Sequence, residues 1–103
     1  MSEDIALKLK GLEADWNIEK RRERLEGDPL RRGRDLLREL DRILIQLLPI
    51  LKDRERAQKT EEILIDLRKL EEHRLYMGEG PSLDEFWTKG SDIFQRLHSI
   101  IEF

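Results

Sequence analysis

The sequence predicts an all-α protein, a small antiparallel four-helix bundle built from amphipathic helices. Leucine and isoleucine recur at alternating steps of three and four residues, which is the spacing of one face of a helix. Glycine and proline cluster at 27–29 and 78–81, so short breaks separate the helical stretches. Short breaks place consecutive helices side by side, and the 103 residues suffice for one domain, residues 1–103, with a single modest core.

Helix one is predicted over residues 3–26 and carries two apolar stripes. At 100° per residue the two stripes lie on nearly opposite faces of the helix. The first stripe consists of Ile5, Leu9, Leu12 and Trp16, and the second of Leu7, Ala14, Ile18 and Leu25, with Gly11 among them. Either helix one is sandwiched inside the fold, or one stripe meets another subunit or a partner. A partly detached helix one is a further alternative.

Helix two is predicted from Pro29 to about Leu51, after Gly27 ends helix one and Asp28 caps the next. Pro49 lacks an amide hydrogen and its ring clashes with the preceding turn, so we expect it to kink the helix or end it early. The flanking residues Leu36, Ile43 and Ile50 widen the apolar arc enough to contact two neighbours. The main ladder is Leu30, Gly33, Leu37, Leu40, Leu44, Leu47 and Leu51.

Helix three is predicted to begin at Thr60 and to end at Gly78. The charged residues 52–59 before it are either a connection or the solvated opening of the helix. Its buried stripe is expected to consist of Ile63, Leu64, Leu67, Leu70 and Met77.

Helix four is predicted to begin at Leu83, because Ser82 and Glu85 have the spacing of a capping box. Its apolar face is broad and aromatic. That face is expected to contain Phe86, Gly90, Ile93, Leu97 and Ile100, flanked by Trp87, Phe94 and Ile101.

Few residues offer catalytic or metal-binding chemistry. The chain has no cysteine, which excludes thiol catalysis, disulfides and iron–sulfur ligation, and its two histidines, His73 and His98, lack the spacing of zinc or di-iron sites. The absence of a signal-peptide pattern and of a long apolar run leads us to expect a cytoplasmic protein without a membrane anchor. We expect no metal, no cofactor and no enzymatic activity.

Two short stretches resemble helical enzymes. Residues 34–48 resemble the first helix of the helical chorismate mutases, and the resemblance implies a substrate-binding role for Arg34. Leu51 and Glu62 stand where that family has its next arginine and a lysine, so two contacts to the substrate carboxylates are missing. Arg68 and His73 have a spacing similar to that of the HEPN-type ribonucleases, but the similarity covers these two residues alone.

Association with a protein partner is the function that the sequence favours. The second stripe of helix one, together with apolar residues off the main stripes, predicts a homo-oligomer or a contact with a larger complex. The candidate interface consists of Leu7, Ala14, Ile18, Leu25, Ile45, Ile65 and Tyr76.

The alternative function is contact with a nucleic-acid backbone through the basic turn at residues 20–34. The net charge is −3, yet cations cluster around this turn, where a polyanion could contact several of them. Ordinary ion pairs within the helix, Arg31–Asp35, Asp35–Arg38 and Glu39–Arg42, explain the charges of this region without a ligand. The candidate contacts are Arg21, Arg22, Arg24, Arg31, Arg32 and Arg34.

Overall fold

Four α-helices pack into one bundle in the computed structural model, which describes residues 2–22, 30–72 and 81–103. The helices are α1 (Ser2–Arg21), α2 (Arg31–Leu47), α3 (Arg54–Glu71) and α4 (Pro81–Leu97), and a 3₁₀ turn, Leu48–Ile50, follows α2. Within these residues each helix packs on the next, α4 returns to α1, and no strand is present. The predicted all-α four-helix bundle is confirmed.

The predicted apolar stripes form the core. The ladder of α2 is buried from Leu30 to Leu47, with Leu37, Leu40 and Leu44 fully enclosed. The first stripe of α1 and the stripe of α3 from Ile63 to Leu70 are buried as well. Periodicity placed these residues correctly because a helix that packs along its whole length must bury one continuous face.

Helix α1 is a full member of the bundle, so the alternative of a partly detached helix one is not observed. It packs along α2 and reaches α4 through Trp16, whose side chain is fully buried. The Trp16 ring centroid lies 5.6 Å from that of Phe86, 4.6 Å from that of Trp87 and 5.9 Å from that of Phe94. These aromatic contacts join α1 to α4.

Two helical glycines make room for this aromatic cluster. A Cβ atom on Gly90 would overlap the indole ring of Trp16. A Cβ atom on Gly33 would lie 2.7 Å from the ring of Phe86 and 2.8 Å from that of Trp87. Helix α4 therefore approaches α1 and α2 more closely than any larger residue at these positions would allow.

Pro49 ends α2 early, as predicted. The α-helix stops at Leu47 and tightens into the 3₁₀ turn, and Leu51 is then extended, with φ −72° and ψ 115°. Because the helix ends here, Leu51 is only half-buried and Ile50 is 36% exposed instead of continuing the buried face. At the other end, α2 begins at Arg31, and the predicted cap Asp28 lies outside the described residues.

The predicted start of helix three at Thr60 is wrong. The helix begins six residues earlier, at Arg54, and the side chain of Asp53 caps it by accepting a hydrogen bond from the Glu55 amide at 3.0 Å. Thr60 lies inside the helix, fully buried, and its hydroxyl donates to the carbonyl of Arg56 at 2.9 Å. The charged segment is thus the solvated opening of α3, and the capping residue is Asp53 rather than Thr60.

The other predicted helix ends also shift. Helix α4 begins at Pro81, two residues before the predicted Leu83, so Ser82 lies in the first helical turn. Helix α3 ends at Glu71, and the predicted end at Gly78 lies outside the described residues together with Met77. Helix α1 ends at Arg21, whereas its predicted final residues, 23–26, lie outside the described part of the chain. The register of each buried stripe is unaffected.

Candidate interaction surface

One face of α1, which we call the outer face, carries a continuous apolar stripe that the bundle leaves exposed. It consists of Leu7, Gly11, Ala14 and Ile18, at steps of four, three and four residues. At 100° per residue these positions fall within about 60° of one another and nearly opposite the buried stripe. Leu7 is 67% exposed and Ile18 is 56% exposed.

The outer face is exposed because the neighbours of α1 cover its other side. Trp16 is held from α4, where its indole nitrogen donates to Ser91 Oγ at 3.1 Å, and Lys20 Nζ donates to the same oxygen at 3.2 Å. Glu13 lies within 2.9 Å of His98 Nε2 beyond the end of α4. These contacts fix the rotation of α1 about its own axis, so the outer face points away from the bundle.

The edge of the outer face near Leu7 is apolar as well. Ala6, Leu7, Lys10 and Phe103 line a shallow depression there. Phe103 stacks on the ring of His98, with centroids 3.9 Å apart and planes 13° from parallel. The residues after α4 therefore extend the apolar surface beside α1.

Two of the remaining candidate interface residues, Ile45 and Ile65, lie on other helices. Ile45 is 49% exposed on α2 and Ile65 is 57% exposed on α3, so each is an apolar residue on another helix. Leu25 and Tyr76 lie outside the described residues. The structure thus unites Leu7, Ala14 and Ile18 on one face and places Ile45 and Ile65 elsewhere. Exposed single apolar residues are common on protein surfaces, whereas a continuous stripe is not.

The candidate polyanion contacts are partly paired or mixed with acids. Arg22, the residue after α1, lies 3.5 Å from Glu19 in the last turn of that helix. Arg32 lines a groove together with the carboxylates of Asp15, Asp35 and Glu39. Of the rest, Arg21 and Arg31 are exposed, Arg34 is half-buried and Arg24 lies outside the described residues.

Pairs within α2 use other arginines of the chain. Arg38 contacts Asp35 at 3.3 Å, and Arg42 contacts Glu39 at the same distance. Both pairs are exposed, so each contributes only a few tenths of a kcal/mol. The predicted helix pairs are therefore present at these two positions.

A charged cluster between α2 and α3 was missed by the sequence analysis. Arg68 donates to both carboxylate oxygens of Asp41, at 3.2 and 3.4 Å. Burial, followed by a hydrogen bond with Asp41 and the charge of that carboxylate, raises the pKa of Glu71 to about 7. The hydrogen bond and the charge of Asp41 likewise raise the pKa of Arg68. Asp41 and Arg68 are too far apart in sequence for any local spacing to reveal the pair.

A second ion pair between helices joins α3 to α4. Arg96 donates to Asp66 at 2.8 Å. With the Asp41–Arg68 pair it spans two of the helix seams, and in both cases the arginine lies on the helix later in the chain. These pairs add directional contacts beside the apolar contacts between the helices.

The described residues were compared with two further kinds of site, metal centres and membrane-spanning helices. In residues 2–22, 30–72 and 81–103, no three histidines, aspartates or glutamates are grouped in a way that could hold a metal ion. Across the same ranges, every helix is too short or too polar to cross a membrane. Comparison with protein-family models, curated proteins and solved structures gives no match.

Proposed function

We propose that this protein is a non-catalytic helical assembly module that associates through the outer face of α1. The observation that supports the proposal is the continuous stripe of Leu7, Gly11, Ala14 and Ile18, which the chain's own fold leaves in water. A stripe at steps of three and four residues fits a partner helix, because helices pack along such rows. The absence of cysteine agrees with a role in a reducing compartment such as the cytoplasm.

The two stripes of α1 separate folding from association. Ile5, Leu9, Leu12 and Trp16 stabilise the bundle, and the outer face contributes little to it because its large side chains are more than half exposed. Loss of the outer stripe should therefore leave the fold intact while abolishing the contact with a partner. Catalysis is not part of the proposal, since the charged cluster at Asp41 and Arg68 is accounted for by the packing of α2 on α3.

The experiment is a measurement of molar mass against concentration, by light scattering after size exclusion, from about 5 to 500 µM. The chain should shift from monomer towards dimer as its concentration rises. The double variant Leu7→Glu/Ile18→Glu should remain monomeric with an unchanged melting temperature, because each new carboxylate would be desolvated only in the complex.

Ile45→Glu is the matched control, since it introduces the same charge at an exposed isoleucine on α2. It should associate as the unmodified chain does. A monomeric mass for the unmodified chain at every concentration would contradict the proposal. Equal loss of association in Ile45→Glu and in the α1 variant would also contradict it, because the surface would then not be the outer face.

Fluorescence anisotropy with single- and double-stranded oligonucleotides tests the alternative of a polyanion site. The assembly proposal predicts no binding at about 150 mM salt. Binding that falls steeply with salt and is lost in the triple variant of Arg31, Arg32 and Arg34 to alanine would favour the nucleic-acid function instead.

A further inference from the structure

We propose that the partner of the outer face is a second copy of this chain, lying antiparallel so that the two α1 helices meet midway between Leu12 and Glu13. The inference rests on the proposed assembly function and adds the identity and direction of the partner. In this arrangement Leu7 lies opposite the partner's Ile18, and Gly11 lies opposite the partner's Ala14. Large residues then meet large ones at the ends of the stripe, and small ones meet small ones at its centre.

The charges beside the stripe are complementary in the same arrangement. Asp4, Lys8, Asp15 and Arg21 are all exposed on α1. Pairing about the same midpoint places Asp4 level with the partner's Arg21. It places Lys8 on the same side of the stripe as the partner's Asp15 and about two residues from it along the axis. Twofold symmetry repeats each contact, so four pairs of opposite charge flank the apolar stripe.

Neither the Asp4–Arg21 pair nor the Lys8–Asp15 pair can form within a single chain. Asp4 and Arg21 are separated by about 26 Å along the helix, and Lys8 and Asp15 by about 10 Å, at a rise of about 1.5 Å per residue. An antiparallel contact between two α1 helices brings both pairs together. A parallel dimer would instead place Asp4 beside the partner's Asp4 and Arg21 beside the partner's Arg21, and like charges in contact oppose association.

Gly11 supports the same arrangement independently. A Cβ atom on Gly11 would meet nothing within 4 Å, whereas one on Gly33 or Gly90 would collide with aromatic rings. The bundle therefore requires glycine at 33 and 90 but not at 11, although glycine inside a helix is unfavourable. A second helix that crosses at Gly11 and Ala14 explains why position 11 is glycine, since small residues allow two backbones to approach closely.

The contact is small, so a weak and reversible dimer is expected. The stripe from Leu7 to Ile18 spans about 17 Å of helix at about 1.5 Å per residue. Interfaces of such limited extent belong with transient complexes, below the roughly 1,200–2,000 Å² buried by stable ones. The test must therefore reach several hundred micromolar and use low salt, about 50 mM, so that charge pairs are little screened.

The decisive experiment is a charge exchange measured by sedimentation equilibrium. Lys8→Glu and Asp15→Lys should each weaken association several-fold, because each sets like charges against each other twice in the antiparallel dimer. The double variant Lys8→Glu/Asp15→Lys should recover the association of the unmodified chain. In a parallel dimer Lys10 would adjoin the partner's Asp15, so Asp15→Lys would still repel in the double variant and association would remain weak.

Gly11→Leu is a second test, because a specific dimer and a nonspecific apolar surface predict opposite changes in association. We expect leucine at this position to raise the dissociation constant of the dimer at least tenfold, because it separates the two helices at their closest approach. An indiscriminate apolar surface would instead associate more strongly with the added leucine. Thermal unfolding of every variant at a concentration where the chain is monomeric confirms that the bundle is intact.

The outcomes separate this inference from the proposed function. Loss of association in Leu7→Glu/Ile18→Glu without recovery in the charge exchange would overturn the antiparallel arrangement and leave the assembly function standing. Stronger association of Gly11→Leu would likewise overturn the arrangement. A chain that stays monomeric at every concentration would overturn both.

Discussion

The inner and outer faces of α1 have the same apolar periodicity but entirely different surroundings. On the inner face, Leu9 and Trp16 have no exposed surface, and Trp16 is packed among rings from α4. On the outer face, Leu7 and Ile18 are more than half exposed. The difference shows that periodicity identifies faces capable of burial, whereas the neighbouring helices decide which face is buried in the monomer. The predictions below test how separate the two faces are.

The largest expected effect is on the inner face. Trp16→Ala removes a fully buried indole, its ring contacts and its hydrogen bond to Ser91, so the free energy of unfolding should fall by about 3–5 kcal/mol. Ile18→Ala on the outer face should change it by less than about 0.5 kcal/mol. Chemical denaturation at a few micromolar checks both. Similar losses in the two variants would show that the faces are not separate.

The next effect tests the close approach of α4 to the inner face. Gly90→Ala forces the Trp16 ring to move, because the added methyl group overlaps it. Overpacking of this kind costs about 1–3 kcal/mol even though alanine favours the helix. Trp16→Ala/Gly90→Ala should lose less stability than the sum of the two single variants, as expected for coupled neighbours. Strict additivity would contradict direct contact between them.

A smaller effect of opposite sign is expected on the outer face. Gly11→Ala should raise the free energy of unfolding by about 0.5–1 kcal/mol at a concentration where the chain is monomeric, because alanine is the better helix former and Gly11 has open space around it. Denaturant titrations of Gly11→Ala and Gly90→Ala form a matched pair. Destabilisation by both would mean that the outer face is packed in the monomer.

The smallest expected effect concerns the contact between α2 and α3 rather than either face of α1. The pKa of Glu71 is raised from 4.5 to about 7, so the folded state holds more protons between these values, and this group makes stability fall as pH rises through that window. Glu71→Gln, which stays neutral, should therefore be more stable than the unmodified chain at pH 8, by less than about 1 kcal/mol because Glu71 is half-exposed.

Near pH 4 the advantage of Glu71→Gln should disappear, because Glu71 is then protonated in both the folded and the unfolded chain. Glu61→Gln removes a carboxylate at an exposed position on the same helix and is the control for the loss of charge. Melting temperatures from pH 4 to pH 8 provide the measurement. An advantage of Glu71→Gln that is independent of pH would contradict the assigned role of this carboxylate.

Local sequence patterns predicted some helix ends correctly and others wrongly. Pro49 marked the end of α2 because a missing amide and a ring clash act at the proline itself. The predicted helix start at Thr60 was wrong because a polar residue followed by acidic residues, which is typical of a cap, also occurs inside a helix. There the hydroxyl of Thr60 donates to the carbonyl of Arg56. A cap depends on the backbone dihedrals of one residue, and residue type constrains those only weakly.

The candidate interface was likewise only partly predictable from the sequence. The outer stripe of α1 was visible in the sequence because its spacing is a property of a single helix. The separation of Ile45 and Ile65 from that stripe depends on where α2 and α3 lie, and no spacing records this. The Asp41–Arg68 contact was missed for the same reason, since it joins two helices rather than two turns of one.

The sequence by itself determined the all-α class, the four helical stretches and the residues able to form a core, because helical periodicity and chain breaks act over a few residues at a time. Only the tertiary structure decided which face of α1 is covered, why Gly33 and Gly90 are glycine, and which charges pair between helices. Those features depend on distances between residues far apart in the chain. Such distances arise from the packing of whole helices against one another, which local sequence does not specify.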